Sequence, residues 1–319
     1  MIEDVSRTLT TGEVLAEVTR SEVVESQHSG HLIVLDQSGN VLVSKGNPAT
    51  LIYTRSAIKS IQTAAMVRAG LILEPRLLAL VSASHSGSQM HQSAALEILA
   101  SAGLNEDALR NGKDRPLGVE ENRAWGTNAP TRLAHNCSGK HAGMLATSVL
   151  NGWPLDTYLD PQHPIQIACR HELESLAEES VSLTSIDGCG APLFLLSLGA
   201  VTRAIRNITV SRDPIHQSVV VACRTFPEMV AGENRLTTRL MRQVNGLFLK
   251  EGAEGVNVGS LPNGSAFAFK ISDGSGRAHE SIVGSILVTL GIETFNETLP
   301  IFGGQEIVGS ISAKPLIGE

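Results

Sequence analysis

Aromatic side chains are scarce in this chain, at 3% of 319 residues, so any core has to be built mainly from Leu, Val, Ile and Ala. Those are in supply. The hydrophobic fraction of 42% is enough for a sizeable core in one large domain or two ordinary ones. Cysteine is nearly missing too. Four residues, Cys137, Cys169, Cys189 and Cys223, do not make the disulfide framework of a small secreted scaffold, and a reduced, cytoplasmic setting is expected. Long apolar runs are absent, and a stretch such as "APLFLLSLGAV" is too short to span a bilayer. So is a basic surplus. The net charge of -7 and the want of any basic stripe with interleaved aromatics argue against nucleic acid or an acidic membrane surface as partner. The opening "MIEDVSRTLTTGEV" is acidic and polar, unlike a secretory signal.

What is present is ordered along the chain without repeats or low-complexity tracts. "HLIVLD", 31–36, and "NVLVS", 40–44, are short β-branched runs that flank "QSGN" and read as a hairpin. From Ser56 onward apolar residues recur at helical spacing, and Gly70 stands where a C-terminal cap belongs. "RLLALVSASHSG" reads as an apolar segment ending in a small polar loop of the kind found at strand ends. Helices are expected over 91–101, 164–178 and 278–290, a strand over 265–271, and a tight turn at "DGCGAP", 187–192. This order implies an α/β (α+β) fold, with an antiparallel sheet from both chain ends and packed helices between them. One domain is expected over 1–319, with a helical subdomain near 90–240.

"YTRSAIKSIQ", 53–62, puts Ser56 and Lys59 three residues apart on one helix face. A serine hydroxyl is a weak nucleophile until a base takes its proton. A lysine can be that base only as a free amine, which burial or a neighbouring cation produces. The same spacing occurs in class A β-lactamases and penicillin-binding proteins. Spacing alone is common, and most such pairs are a helix-start serine with a solvated lysine. Here the surroundings are apolar, and Ser56 sits at a helix start, where N–H groups favour developing negative charge.

Two further stretches bear on this. "SASHSG", 82–87, packs Ser82, Ser84 and Ser86 around His85 and is either an ordinary turn or a donor loop for a substrate. "NCSGKHAGML", 136–145, holds Cys137, Lys140 and His141, and "DGCGAP" holds Asp187 and Cys189. The two cysteines lie in Gly-rich turns about fifty residues apart and are either two metal ligands or buried free thiols. Cys169 and Cys223 fall within helical patterns and read as core.

"RSAIKSIQ", "SASHSG", "NCSGKHAGML", "GWPLDTYLDPQHPIQ", "DGCGAPLF" and "EGAEGV…FKISDGSGRA" occur together and in this order. With them the chain resembles the asparaginase family typified by the Rhizobium-type enzymes, over roughly residues 13 to 315. The resemblance implies a fold similar to serine β-lactamases and related glutaminases, and hydrolysis of L-asparagine to L-aspartate and ammonia. It implies two Ser-Lys tandems, matched by Ser56 with Lys59 and by Ser84 with Lys270, the lysine of "AFAFKI"; Ser86 competes with Ser84. It implies a zinc ion held by Cys137, Cys189 and Lys140, and an active-site acid at Asp187. A lysine on zinc must be deprotonated, since an ammonium has no lone pair. Zinc there would shape the pocket, with His141 as its outer support. Lys270 would help keep Lys59 uncharged by like-charge repulsion.

The expected chemistry is acyl transfer. Lys59 accepts the proton of Ser56, Ser56 attacks the amide, and N–H groups of the helix start and the Ser84 loop hold the oxyanion. Departures from the family pattern occur at "GENRLTT", 232–238, where Asn234 replaces a glycine and Thr237 an acid. Alternatives are a glutaminase, a penicillin-recognising protein, though no clear Ser-Asp-Asn or Lys-Thr-Gly motif is present, or a zinc-stabilised binding module. A homodimer is the expected assembly.

Overall fold

The computed structural model describes residues 10–292 and 298–317. In chain order the elements are β1 (Glu13–Arg20), β2 (Val23–Leu35), β3 (Val41–Lys45), β4 (Leu51–Tyr53), a short 3-10 turn (Arg55–Ile58), α1 (Lys59–Arg68), α2 (Pro75–Val81), α3 (Gln89–Ser101), α4 (Val119–Trp125), α5 (Ser138–Leu150) and α6 (Pro164–Ala177). There follow β5 (Leu183–Ile186), β6 (Pro192–Ser197), α7 (Leu198–Val210), α8 (Pro214–Thr225), α9 (Pro227–Val230), α10 (Leu236–Gln243), β7 (Phe248–Gly252), β8 (Val256–Ser260), β9 (Ala266–Ile271), α11 (His279–Thr289), β10 (Thr298–Gly303) and β11 (Glu306–Ala313).

The main sheet runs β10-β11-β1-β2-β9-β8-β7, with β3 paired to β2. All its pairings are antiparallel, and its strands come from the two ends of the chain as expected. The hairpin at 31–44 forms in the register Leu32↔Lys45. β9 sits two strands in from the β7 edge and is buried throughout. α7 packs on β2, β8 and β9 because Leu198, Val201, Ile205 and Ile208 recur along one buried face. Helix starts carry local signals. Ser197 Oγ accepts from Ala200 N at the head of α7, Asp213 Oδ1 accepts from Ile215 N at the head of α8, and Pro214 and Pro164 open α8 and α6.

One expectation needs correction. "RLLALV" is helix α2 and not a strand, so the "SASHSG" loop follows a helix. Pro75 at the first turn and a run of Leu and Ala, both strong helix formers, decide this.

A second sheet is small. β4 pairs with β6, and β6 with β5, in the registers Tyr53↔Leu195 and Ile186↔Pro192. It ties the segment entering Ser56 to the hairpin that carries Asp187 and Cys189. The hairpin closes through Asp187 N to Ala191 O at 2.9 Å and Gly190 N to Asp187 O at 2.8 Å. Gly190 has φ of +88°, a value that favours glycine.

Away from these turns, α1, α6 and α8 are joined by an ionic network. Arg68 donates to Glu172 at 2.8 and 2.9 Å and to Asp213 at 2.8 Å, and His216 Nε2 lies 2.5 Å from Glu172 Oε1. Burial would raise the Glu172 carboxyl. Its hydrogen bonds with His216 and Arg68 overcome that and bring it from 4.5 to about 2. A depressed carboxyl stabilises the fold above its unfolded value and loses that contribution as pH falls. Glu172→Gln is therefore expected to cost about 2 kcal/mol at pH 7, shrinking between pH 4.5 and 2, by denaturant unfolding at several pH values.

Candidate active site

Ser56 and Ser84 line the same cleft, of about 360 Å³, with Asn136, Arg235, Glu251, Ala253, Glu254 and His279 among its other walls. Ser56 belongs to the 3-10 turn that runs into α1 and is half-buried. Ser84 is buried in the loop after α2. That loop is pinned from both sides. Ser84 N donates to Val230 O at 3.0 Å and His85 N to Asn136 O at 3.2 Å. His85 also stacks on His91, with ring centroids 4.9 Å apart, and its Nε2 lies 2.9 Å from Ser138 Oγ. The amide of Ser84 is thus already engaged and offers no free donor to an oxyanion, contrary to the expectation above.

Two lysines converge on Ser84. Lys59 Nζ donates to Ser84 Oγ at 3.2 Å, and Lys250 Nζ at 2.9 Å. Lys59 also donates to the Ala83 carbonyl and, at 3.1 Å, to Cys137 Sγ. Among the described residues these three are its hydrogen-bond partners, so Lys59 reaches across to the Ser84 loop and not back to Ser56. Lys250 donates besides to the Glu251 carbonyl. Burial, with Lys59 and then Arg235 nearby, pushes the Lys250 amine well below its ordinary range.

Lys270 is not part of this group. It lies on β9, two strands in from β7, and its Nζ lies behind the cleft wall at Glu254 with no hydrogen bond to Ser84 among the described residues. Its Nζ donates to the carbonyls of Glu254 and of Ile271, the latter at 2.8 Å. The lysine beside Ser84 is Lys250, on the edge strand β7. Ser86 is also separate, donating to Glu121 Oε1 at 2.5 Å in a neighbouring cavity. Arg235 lines both cavities and pairs with Glu251, beside Lys250. Of the divergent 232–238 stretch, Asn234 donates to Glu120 at 3.0 Å outside the cleft, and Thr237 is buried in α10.

Sequence reasoning missed Lys250, Arg235 and Glu251. A signal for Lys250 was available. It directly follows the apolar run "GLFL" and precedes "EGAEGV", and a lysine carried into the core by such a run must be paired or uncharged.

Cys137 caps the start of α5, and Lys140 and His141 lie in its first turn. Cys137, Cys189 and Ala191 form a small buried cluster against Leu159. Lys140 Nζ lies 3.5 Å from Cys189 Sγ. The proximity of the two sulfurs, with Lys140 beside them, draws the Cys189 thiol well below its usual range, while Cys189 and burial push Cys137 up. Burial alone would lower Lys140, but the Cys189 and Cys137 sulfurs and Asp187 raise it. His141 Nδ1 lies 2.7 Å from Tyr158 Oη, which accepts from Arg110 N. Asp187 pairs with Arg55, Nε to Oδ1 at 2.9 Å. Cys169 and Cys223 are buried, and burial pushes their thiols up to about 12 and about 11. Among the described residues no group of three His, Cys, Asp or Glu could hold a metal ion, so a site here needs the Lys140 nitrogen as its third donor.

The sequence matches the L-asparaginase II family over residues 16–309, and the chain belongs to that family. No curated protein sequence matches it. Two solved structures are similar in outline. A β-lactamase from Mycobacterium bovis is 14% identical with a TM-score of 0.43, covering 82% of this chain and 94% of its own. One from Sphaerobacter thermophilus is 13% identical with a TM-score of 0.44, covering 84% and 94%. Among the described residues no helix is long and apolar enough to cross a membrane.

Proposed function

We propose that the chain is an L-asparaginase, hydrolysing the side-chain amide of L-asparagine through an acyl-enzyme on Ser56. The observation that carries this reading is the double clamp on Ser84, held by Lys59 and Lys250 in a cleft that also exposes Ser56. Ser84 Oγ is engaged by two amines and buried, which suits a proton relay. Ser56 is more open, and its N–H, at the head of the 3-10 turn leading into α1, donates to no described residue. Ala253 N, in the same cleft and next to Gly252, which lies against the Ser56 turn, is likewise free among the described residues. These two N–H groups are the oxyanion donors, each worth about 3 kcal/mol.

The desolvated Lys250 is the base. Ser56 Oγ attacks the amide carbon, and its proton passes through the Ser84 hydroxyl to Lys250. The same relay returns that proton to the leaving nitrogen, and ammonia departs. A water then attacks the aspartyl ester, gives a proton along the same route, and Ser56 Oγ recovers it as aspartate leaves. Lys59 holds Ser84 in line through its own hydrogen bond to the Ser84 hydroxyl. A second reading makes Ser84 the nucleophile. It is favoured by the 2.9 Å contact with Lys250, a length suited to a nucleophile and its base.

Ammonia release tests the substrate. Asparagine is expected to turn over, and glutamine, one methylene longer, to do so with kcat/KM lower by about 10–200-fold. No release from either would contradict the reading, and acylation by a fluorescent penicillin would favour a penicillin-recognising one.

Zinc fits the donor set. Two sulfurs and a buried nitrogen meet, and a thiolate is already favoured at Cys189. Cys137, Cys189 and Lys140 would hold the ion, which when bound would supply a fixed positive charge clamping the two Gly-rich turns. Binding would release the Lys140 proton. Both turns are closed by their own hydrogen bonds, Cys137 N to His135 Nδ1 at 3.1 Å and Asp187 N to Ala191 O at 2.9 Å. A chelator is therefore expected to raise KM for asparagine while the circular dichroism and melting temperature change little. Unfolding on chelation would contradict this.

We also propose a single domain over 1–319 with a helical subdomain near 90–240, a cytoplasmic setting and a homodimer, the last checked by light scattering.

A further inference from the structure

Arg55, the residue before Ser56, has φ of +47°. A residue other than glycine adopts this left-handed backbone on the order of tenfold less readily than an ordinary one, and arginine has no short polar side chain to ease it. Such a conformation persists only where the surroundings enforce it. Three contacts do so here. Thr54 is fixed from behind, its N at 3.0 Å and its Oγ1 at 3.2 Å from Phe194 O on β6. Gly252 on β7 lies directly against the turn, and a Cβ there would fall 3.2 Å from Arg55 Cβ and 3.3 Å from Ala57 N. The Arg55 guanidinium itself is anchored by Asp187, which also accepts from Gly188 N at 2.9 Å.

The cleft lining takes in Ser56 and Glu254, but among the described residues neither Arg55 nor Asp187. Arg55 reaches Glu254 only at 4.0 Å, and Glu254 is largely exposed. The pair therefore stands behind the serine and not in front of it. The small sheet explains how two distant motifs meet there, since β4 feeds the turn, the β5–β6 hairpin carries Asp187, and both are registered on β6.

We infer that Arg55 and Asp187 are positioning residues, whose ion pair holds the left-handed turn that presents the Ser56 hydroxyl and N–H to the substrate. This rests on Ser56 being the acylated residue. The test contrasts alanine with glycine, because both remove the guanidinium but only glycine accepts the turn without strain. Arg55→Ala and Asp187→Asn are each expected to lower kcat for asparagine about tenfold, with KM within about twofold of wild type. Arg55→Gly is expected to keep kcat within about threefold, and Arg55→Gly in the Asp187→Asn background to recover most of the loss. Equal losses in Arg55→Ala and Arg55→Gly, or a rise in KM common to both, would make Arg55 a substrate ligand and overturn the inference. Should Arg55→Ala fold poorly, the Asp187→Asn pair gives the same contrast, with no recovery on adding Arg55→Gly as the contrary result. Adduct mapping on the wild type separates the two levels. An aspartyl group on Ser84 removes the reading beneath the inference, whereas one on Ser56 with no Ala–Gly difference removes the inference alone.

Discussion

Lys250→Met is expected to lower kcat for asparagine by about 10²–10⁴-fold, the usual worth of a general base, while the protein stays folded. Methionine keeps the bulk of the side chain and removes the amine that accepts the Ser84 proton. The lysine is fully buried, and its folding cost comes from desolvating an amine, so an apolar replacement relieves a burden on stability. The sign of the pH effect follows. Lys250 works as the free amine, its value in the folded protein lies well below 10.5, and kcat/KM should therefore rise with pH through that value and flatten above it. The rising limb should vanish in Lys250→Met. The matched control is Lys270→Met. Its Nζ is committed to the Glu254 and Ile271 carbonyls, and kcat is expected to stay within about threefold of wild type. A large loss at Lys270 with little at Lys250 would restore the pairing expected from the sequence.

The second large effect is at Ser56. Ser56→Ala is expected to cost about 10⁴-fold or more in kcat, on the scale seen when a serine nucleophile is removed. Ser84→Ala should be milder, about 10²–10³-fold, because water can replace a relay hydroxyl between Lys59 and Lys250 but nothing replaces the attacking oxygen. The two losses should not add. Once Ser56 is gone, deleting Ser84 should matter little, since both residues serve one reaction coordinate. Steady-state ammonia release from the two single variants and the double variant measures this directly. The order of effects reverses if Ser84 carries the acyl group.

Much of this layout could be read from the chain. The β2–β3 hairpin, the helices starting near Gln89, Pro164 and His279, and the strand over Ala266–Ile271 all follow from periodicity and turn residues. So did the meeting of Cys137, Lys140 and Cys189, through the resemblance of their motifs. What failed shares a cause. Deciding between Lys250 and Lys270 needs strand order and tertiary contact, because both sit in buried strands and only Lys250, on the edge strand β7, reaches Ser84. The direction of Lys59 was equally hidden. Spacing puts it on the Ser56 face of a helix, but the chain is 3-10 up to Ile58 and the long side chain reaches the Ala83 carbonyl and Cys137 instead. The left-handed Arg55 left no mark at all, since arginine carries no preference for that backbone and only its tertiary partners hold it there.

The most direct test is to quench the wild-type enzyme and the Ser84→Ala and Lys250→Met variants during turnover of an activated aspartyl ester, and to locate the adduct by peptide mass spectrometry. An aspartyl group on Ser56 in all three, accumulating where the relay is broken and water attack is slowed, is the expected result. A group found on Ser84 in the wild type, with Ser56→Ala still acylated at the normal rate, would contradict the assignment of Ser56 as nucleophile and of Ser84, between its two lysines, as the carrier of the proton.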